Sequence, residues 1–410
     1  MFIKRLVENY SGMPKEAKYL TLASVMPTVA YGMLYTDLSY FLTAVQGLSA
    51  DFMGIVLTLM GVSTFVASIF LGIVADFYGR KKMLVIGNVL ASLILAAFAL
   101  TTNPFLLLMA AVVEGISEAA IMASSSALLA EKTGDDTRNS VFSLYSFAQN
   151  IAFAVGSFAI PFVLVFEQIG FTDQSSHIIL YVLISVTSLA STFLMLRVSE
   201  SKRPKKTGAP ISDLLSIKSR NILTKYIVAG AIVAFGAGLV VPIMTYWFNA
   251  RYGISDEISG PILAVSSLLI AFASLAAPIL AKKFGLIKAV VITQITSTVF
   301  MFATPLPASF ELAGLIYSVR TLLMNMANPL LQSMIMGLVA EDERGTASGI
   351  SGALWRLPNA LSTWIGALLM GAGFLFEPFY LASLLYVVSI GLFWFFFRKV
   401  KMPEEEVLQL

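Results

Sequence analysis

Five charged side chains interrupt long apolar runs of this chain: Asp37, Glu114, Glu118, Arg320 and Arg356. An ionised group facing lipid costs roughly 2.5–3.5 kcal/mol on insertion scales, so all five are expected to face a protein interior or a water-filled path. Glu114 and Glu118 are four residues apart and share one helical face. Two carboxylates that close in a low dielectric disfavour double ionisation, and the pair reads as a place to hold a proton. Asp37 is a third candidate for proton coupling, with a gate or interhelix contact near the helix end as the equal alternative. Arginine does not release its proton readily and suits anion recognition. Arg320 shares its face with Tyr317, Met324 and Asn328, and Arg356 shares its face with Gly352, Asn359 and Thr363. Asn150 belongs to a polar stripe with Ser143, Ser146 and Ser157, and Tyr31 and Tyr35 share a further face. Arg320, Arg356, Asn150, Asn328, Asn359, Tyr31 and Tyr35 are therefore the candidate solute contacts, against the alternative that these stripes only satisfy one another between helices.

The elements that must position these groups follow from composition. The chain is 410 residues long, 58% hydrophobic and 12% charged, with a mean hydropathy of +0.84. A water-soluble domain carries about twice that charge. There is no cysteine, hence no disulfide framework or thiolate metal site, and the single histidine, His177, reads as an ordinary loop residue at a membrane boundary. Twelve apolar stretches are long enough to span a bilayer at ~20 residues each. They cover about 18–43, 52–75, 82–101, 104–130, 139–165, 178–197, 224–249, 258–281, 287–304, 309–338, 346–371 and 378–397. Pro27, Pro161, Pro242, Pro278, Pro329 and Pro358 fall inside these stretches and mark bends. With the N-terminus in the cytoplasm, all but Arg251, Arg320 and Arg356 of the 27 basic residues fall on the cytoplasmic side. That positive-inside pattern puts both termini in the cytoplasm of a multi-pass plasma-membrane protein.

The connection between the second and third stretches, Gly72 to Leu84, holds Asp76, Gly79, Arg80, Lys81 and Lys82 in a turn too short to be a domain. It resembles the signature loop between helices two and three of the major facilitator superfamily, Gly-x-Leu-Ala-Asp-Arg-x-Gly-Arg-Lys-x-x-Leu. Gly72, Ala75, Asp76, Gly79, Arg80, Lys81 and Leu84 match, while Val74 and Phe77 depart. The resemblance implies an all-α membrane protein of twelve transmembrane helices in two six-helix pseudo-symmetric bundles. In that family helices one, four, seven and ten line a central cavity, and three, six, nine and twelve support the outside. It also implies a conformational latch made by Gly72, Asp76, Gly79, Arg80 and Lys81.

An internal repeat agrees with two halves. Shifted by 206 positions, Gly47-Leu48-Ser49 falls on Gly253-Ile254-Ser255, Gly54 on Gly260, Gly79 on Gly285, Lys82 on Lys288 and Arg138 on Arg344. The same shift places Glu114 on Arg320, a pairing that suits either a contact that forms and breaks or a permanent ion pair. The expected organisation is a bundle over 1–197, a basic cytoplasmic linker over 198–223 and a second bundle over 224–410. Departures narrow the function. The fourth stretch has Glu114 and Glu118 where many drug–proton antiporters of this family have an arginine. The fifth has Gly156-Ser157-Phe158-Ala159-Ile160-Pro161 in place of their Gly-Pro-x-x-Gly-Gly.

The expectation is proton-coupled secondary transport of a small, anionic organic solute by alternating access. The alternative is efflux of drugs or amphiphiles by the same fold. A non-transporting receptor is disfavoured by the intact loop and the five intramembrane charges. An enzyme or ATP-driven pump is disfavoured because the chain has no phosphate-binding glycine loop followed by Lys-Ser/Thr. The expected partners are the solute, protons and the lipid bilayer, with no cofactor, metal or nucleic acid, and one chain carrying its own pathway as a monomer.

Overall fold

In hydrocarbon every backbone polar group must be satisfied within the chain, which leaves helices as the spanning elements of a sequence with this pattern. A computed structural model describes residues 13–133, 135–199, 219–339 and 344–400. Their regular structure is helical. We label twelve segments, four of them composite. The first half comprises α1 (Lys15–Tyr40, closed by a π-helical turn Phe41–Val45), α2 (Ala50–Tyr78), α3 (Arg80–Leu100), α4 (Pro104–Glu131), α5 (Asp135–Phe158, resumed as Phe162–Gln168) and α6 (Asp173–Met195). The second comprises α7 (Arg220–Gly238, a 3-10 turn Val241–Ile243, then Met244–Tyr252), α8 (Asp256–Phe284), α9 (Leu286–Ala303), α10 (Phe310–Met326, resumed as Asn328–Leu338), α11 (Arg344–Gly371) and α12 (Glu377–Phe397).

The starts and breaks have local causes. Ser49, Asn103 and Thr172 cap α2, α4 and α6 by accepting from backbone N–H groups of the first turn. Three of the four composite segments, α5, α7 and α10, break beside Pro161, Pro242 and Pro329, where the ring removes a donor. Pro27 and Pro358 instead stay inside unbroken helices.

The chain forms two compact units, Met1–Thr207 with Ser255–Ala264, and Gly208–Ile254 with Val265–Leu410. The first turns of α8 thus belong to the first unit. Within the first unit α1 packs on α5 and α6, and α3 on α4 and α6. Within the second, α7 packs on α11 and α12, and α9 on α10 and α12, the same pairs six helices later. The repeat reaches single atoms. A Cβ on Gly32 would lie 2.2 Å from the carbonyl oxygen of Phe153, and one on Gly238 would lie 2.0 Å from that of Asn359. Both members of each pair differ by 206. Gly79 and Gly285, also 206 apart, have φ of 106° and 80° between consecutive helices, a backbone that favours glycine.

Apolar side chains such as Phe193, Val299 and Leu315 are exposed, whereas Asp37, Glu114 and Arg320 are buried. This distribution suits a hydrocarbon solvent. Eight described helices are long and apolar enough to cross a membrane.

Candidate functional site

In the first unit the two acids of α4 have different surroundings. Glu118 accepts hydrogen bonds from Tyr31 Oη of α1 and Thr64 Oγ1 of α2, each at 3.0 Å. Tyr31 stacks on Tyr35 at 5.9 Å between ring centroids, and both rings meet Phe153 of α5. Glu114, one turn away, is buried, and its Oε2 has no hydrogen-bond partner among the described residues. An unpartnered buried anion is costly, so a proton on Glu114 removes a charge that nothing described compensates. Glu118 is already held by two hydroxyls. Asn150, on α5, is exposed, and its amide donates to the Ser146 carbonyl. Gln149, which the sequence reading passed over, links α5 to Ser24 and Thr28 of α1.

In the second unit Arg320 of α10 is buried, with 3% of its surface exposed. Its Nη2 donates to Tyr386 Oη of α12, and its guanidinium lies over the rings of Tyr317 and Tyr386 at 5.8 and 5.5 Å. Among the described residues its Nε has no hydrogen-bond partner and no carboxylate pairs with it. The guanidinium borders a cavity of about 560 Å³ whose polar lining includes Asn325, Asn328, Gln332 and Gln294. Met324, Trp355 and Phe393 give it apolar walls. Asn328 donates to Asn325 Oδ1 at 3.0 Å. Asn359 donates to the Ala234 carbonyl and Arg356 is half-buried; neither belongs to this lining. The α9 and α12 residues Gln294, Tyr386 and Phe393 do line it, a correction to the expectation that these helices only support the outside. Both helices pack directly on cavity-lining neighbours, α9 on α10 and α12 on α7. Asn325, Asn328 and Gln332 recur at three- and four-residue spacing on the Arg320 helix, a signal that the sequence does carry.

The basic loop ties its own unit together. Arg80 reaches Glu131 at the end of α4 (3.9 Å), and Lys81 donates to the Leu196 carbonyl after α6 (2.6 Å). Gly79 supplies the turn. The surroundings of Gly72 and Asp76, like residues 200–218 of the expected linker, lie outside the described residues.

A third set lies at the far end of the first unit. Asp37, near the end of α1, accepts from Tyr181 Oη at 2.9 Å. His177 is not a loop residue: it belongs to α6, is fully buried, and faces Asp256 of α8 at 3.2 Å. Packing of three helix ends, absent from any local sequence pattern, encloses it.

The model of the Major Facilitator Superfamily matches residues 20–363 and 228–409. The chain belongs to the major facilitator superfamily. It is 22% identical over 354 residues to multidrug resistance protein 2 of Bacillus subtilis (strain 168), covering 85% of this chain and 87% of that protein. Its fold is similar to that of a point variant of the nucleoside transporter NupG, with a TM-score of 0.75 and 13% identity over 93% of this chain and 100% of that one. The D-xylose–proton symporter gives a TM-score of 0.73 at 15% identity, covering 92% and 96%. The chain is therefore a multi-pass membrane transporter.

Proposed function

We propose that this transporter moves a small anionic organic solute, coupled to protons, by alternating access. The observation that carries the reading is Arg320: a buried guanidinium with an unpartnered Nε and no described counter-ion, at the wall of a cavity of about 560 Å³. A guanidinium cannot shed its charge to lower the cost of burial, so an anion supplied by the solute completes it. Asn325, Asn328 and Gln332 add neutral donors and acceptors to orient that solute. Arg356, Asn359 and Asn150 act outside this cavity, as do the stacked Tyr31 and Tyr35. Glu114 carries the coupling proton and Glu118, held by Tyr31 and Thr64, is its neighbouring charge. Asp37 belongs to the separate cluster considered below. The Gly72–Lys81 loop is the latch. Both termini are cytoplasmic, the membrane is the plasma membrane, and the chain works as a monomer of two six-helix halves.

The test is flux in proteoliposomes across a panel of carboxylates, phosphates, sugars, nucleosides and cationic amphiphiles, with and without an imposed pH gradient. Wild type runs beside Arg320→Gln, Glu114→Gln and Glu118→Gln. An anionic solute accumulated by the gradient, lost with Arg320→Gln and reduced to exchange with Glu114→Gln, is the expected outcome. Transport of cationic amphiphiles that survives Arg320→Gln would establish the second reading, efflux. That reading is favoured by the 22% identity to a multidrug resistance protein and by the Met324, Trp355 and Phe393 walls.

A further inference from the structure

The cluster at the end of the first unit has a use that solute transport leaves unassigned. Asp37, His177 and Asp256 come from α1, α6 and α8, all three are fully buried, and one donor atom of each lies within 4.8 Å of the others. His177 Nδ1 faces the Asp173 carbonyl oxygen and Asp173 Oδ1, both at 2.9 Å. Both neighbours are acceptors, so Nδ1 carries a proton and donates. In the neutral ring the lone pair is then on Nε2, which is 3.2 Å from Asp256 Oδ2. A ring fixed by an Nδ1–H bond to a carbonyl or carboxylate, with Nε2 free to ligate, is how metal-bound histidines are held. Tyr181 Oη fixes the Asp37 carboxylate in the same manner, through Oδ2.

Charge and spare valence then decide what the cluster takes. With a neutral ring the triad carries two negative charges in full burial. Asp37 Oδ1 and Asp256 Oδ1 each have no hydrogen-bond partner among the described residues. A dication neutralises the set and has a use for those oxygens. A second ring proton together with a proton on one carboxylate would also neutralise the set, so protons are the competing occupant. Metal–donor bonds of roughly 2.0–2.1 Å in a tetrahedral site place donors about 3.3 Å apart, close to the 3.2 Å between Nε2 and Oδ2. Asp173 is half exposed and, with His177 and Glu257, forms a second, overlapping group of donors that leads from the surface to the triad. We infer that Asp37, His177 and Asp256 form a binding site for a divalent transition-metal cation of the zinc type, with Asp173 and Tyr181 as the groups that orient the ligands. One imidazole with carboxylates suits zinc better than magnesium, which prefers all-oxygen sites and keeps its waters. Bound metal would pin the first turns of α8 to α1 and α6.

The experiment measures metal, not flux, so its failure and that of the transport reading are separable. Full-length protein in detergent is stripped with chelator, dialysed against micromolar zinc chloride, desalted and analysed for metal. Wild type is expected to keep about one zinc per chain, and His177→Asn and Asp256→Asn to lose at least ten-fold in affinity, with magnesium chloride retained by none. Zinc should raise the unfolding temperature of wild type only, because binding to the folded state alone stabilises it. Cobalt substitution of wild type should give the visible absorption of a four-coordinate nitrogen–oxygen site, a readout independent of whether the variants fold. Zinc retained equally by wild type and both variants, or a cobalt complex with only the spectrum of the hydrated ion, would overturn the assignment.

Discussion

The buried charges of α4 and α10 occupy matching places in the repeat, since Glu114 and Arg320 are 206 residues apart, yet their surroundings differ in kind. Glu114 lies on an unbroken helix of 28 residues, one turn before Glu118, and its own Oε2 has no hydrogen-bond partner among the described residues. Arg320 lies on a helix that breaks seven residues later, before Asn328, and faces a cavity with polar and apolar walls. An acid can lower its burial cost by taking a proton, so Glu114 needs nothing from outside except that proton. A guanidinium has no such route and must be given an anion. The two matching positions thus hold one group that can change its own charge and one that cannot.

The largest effect should come from the group with no alternative. Arg320→Gln is expected to reduce solute binding and flux by roughly 100-fold or more, the scale found when a buried charge loses its partner. The loss should be the same at every pH. Equilibrium binding of the transported solute to purified protein checks this, and undiminished binding would end the asymmetry between the halves. Glu114→Gln should behave differently. Binding and exchange persist, while accumulation driven by a pH gradient falls at least ten-fold, because the glutamine is neutral in every state. Equal loss of exchange would place Glu114 in the solute site instead.

The helical spans and the repeat were legible in the sequence, since they rest on hydropathy and spacing. The burial of Asp37, Glu114 and Arg320 was legible for the same reason. Six prolines marked bends, but which of them interrupt a helix, Pro161, Pro242 and Pro329, was not legible. The partners were not. Tyr386 meets Arg320 across 66 residues and His177 meets Asp256 across 79. No local pattern marks which tyrosine of α12 turns inward, or that a histidine five residues into α6 will be enclosed. Those outcomes depend on how helix ends and faces pack, which is tertiary information.

Tyr386 tests how far the second unit is preset. Tyr386→Phe keeps the ring under the guanidinium and removes the acceptor of Nη2. A net hydrogen bond to a charged group contributes about 1.5–3 kcal/mol, and part is recovered if the solute takes over the freed N–H. Solute affinity should therefore change by less than about ten-fold, in either direction, whereas a loss as large as that of Arg320→Gln would mean that the hydroxyl itself orients the arginine.

The smallest effect belongs to a charge that water already screens. Glu16, at the start of α1, accepts from Ser199 Oγ and from the Ser199 backbone N–H at 3.2 Å, and pairs with Lys132 at 2.9 Å. The Ser199 hydroxyl, then Lys132, holds its carboxyl below the usual value of 4.5. A carboxyl depressed in the folded state contributes stability above its unfolded value and loses it as pH falls through the folded one. Glu16→Gln should lower the unfolding midpoint slightly and evenly between pH 6 and 8, by no more than about 1 kcal/mol. The difference from wild type should shrink below about pH 4.5, and added salt should reduce it as well. Acid should not abolish the Arg320→Gln defect by the same route, because the wild-type guanidinium keeps its proton. Parallel pH titrations of the two variants, one read by unfolding and the other by solute binding, therefore separate a titrating surface pair from a fixed buried charge within one chain.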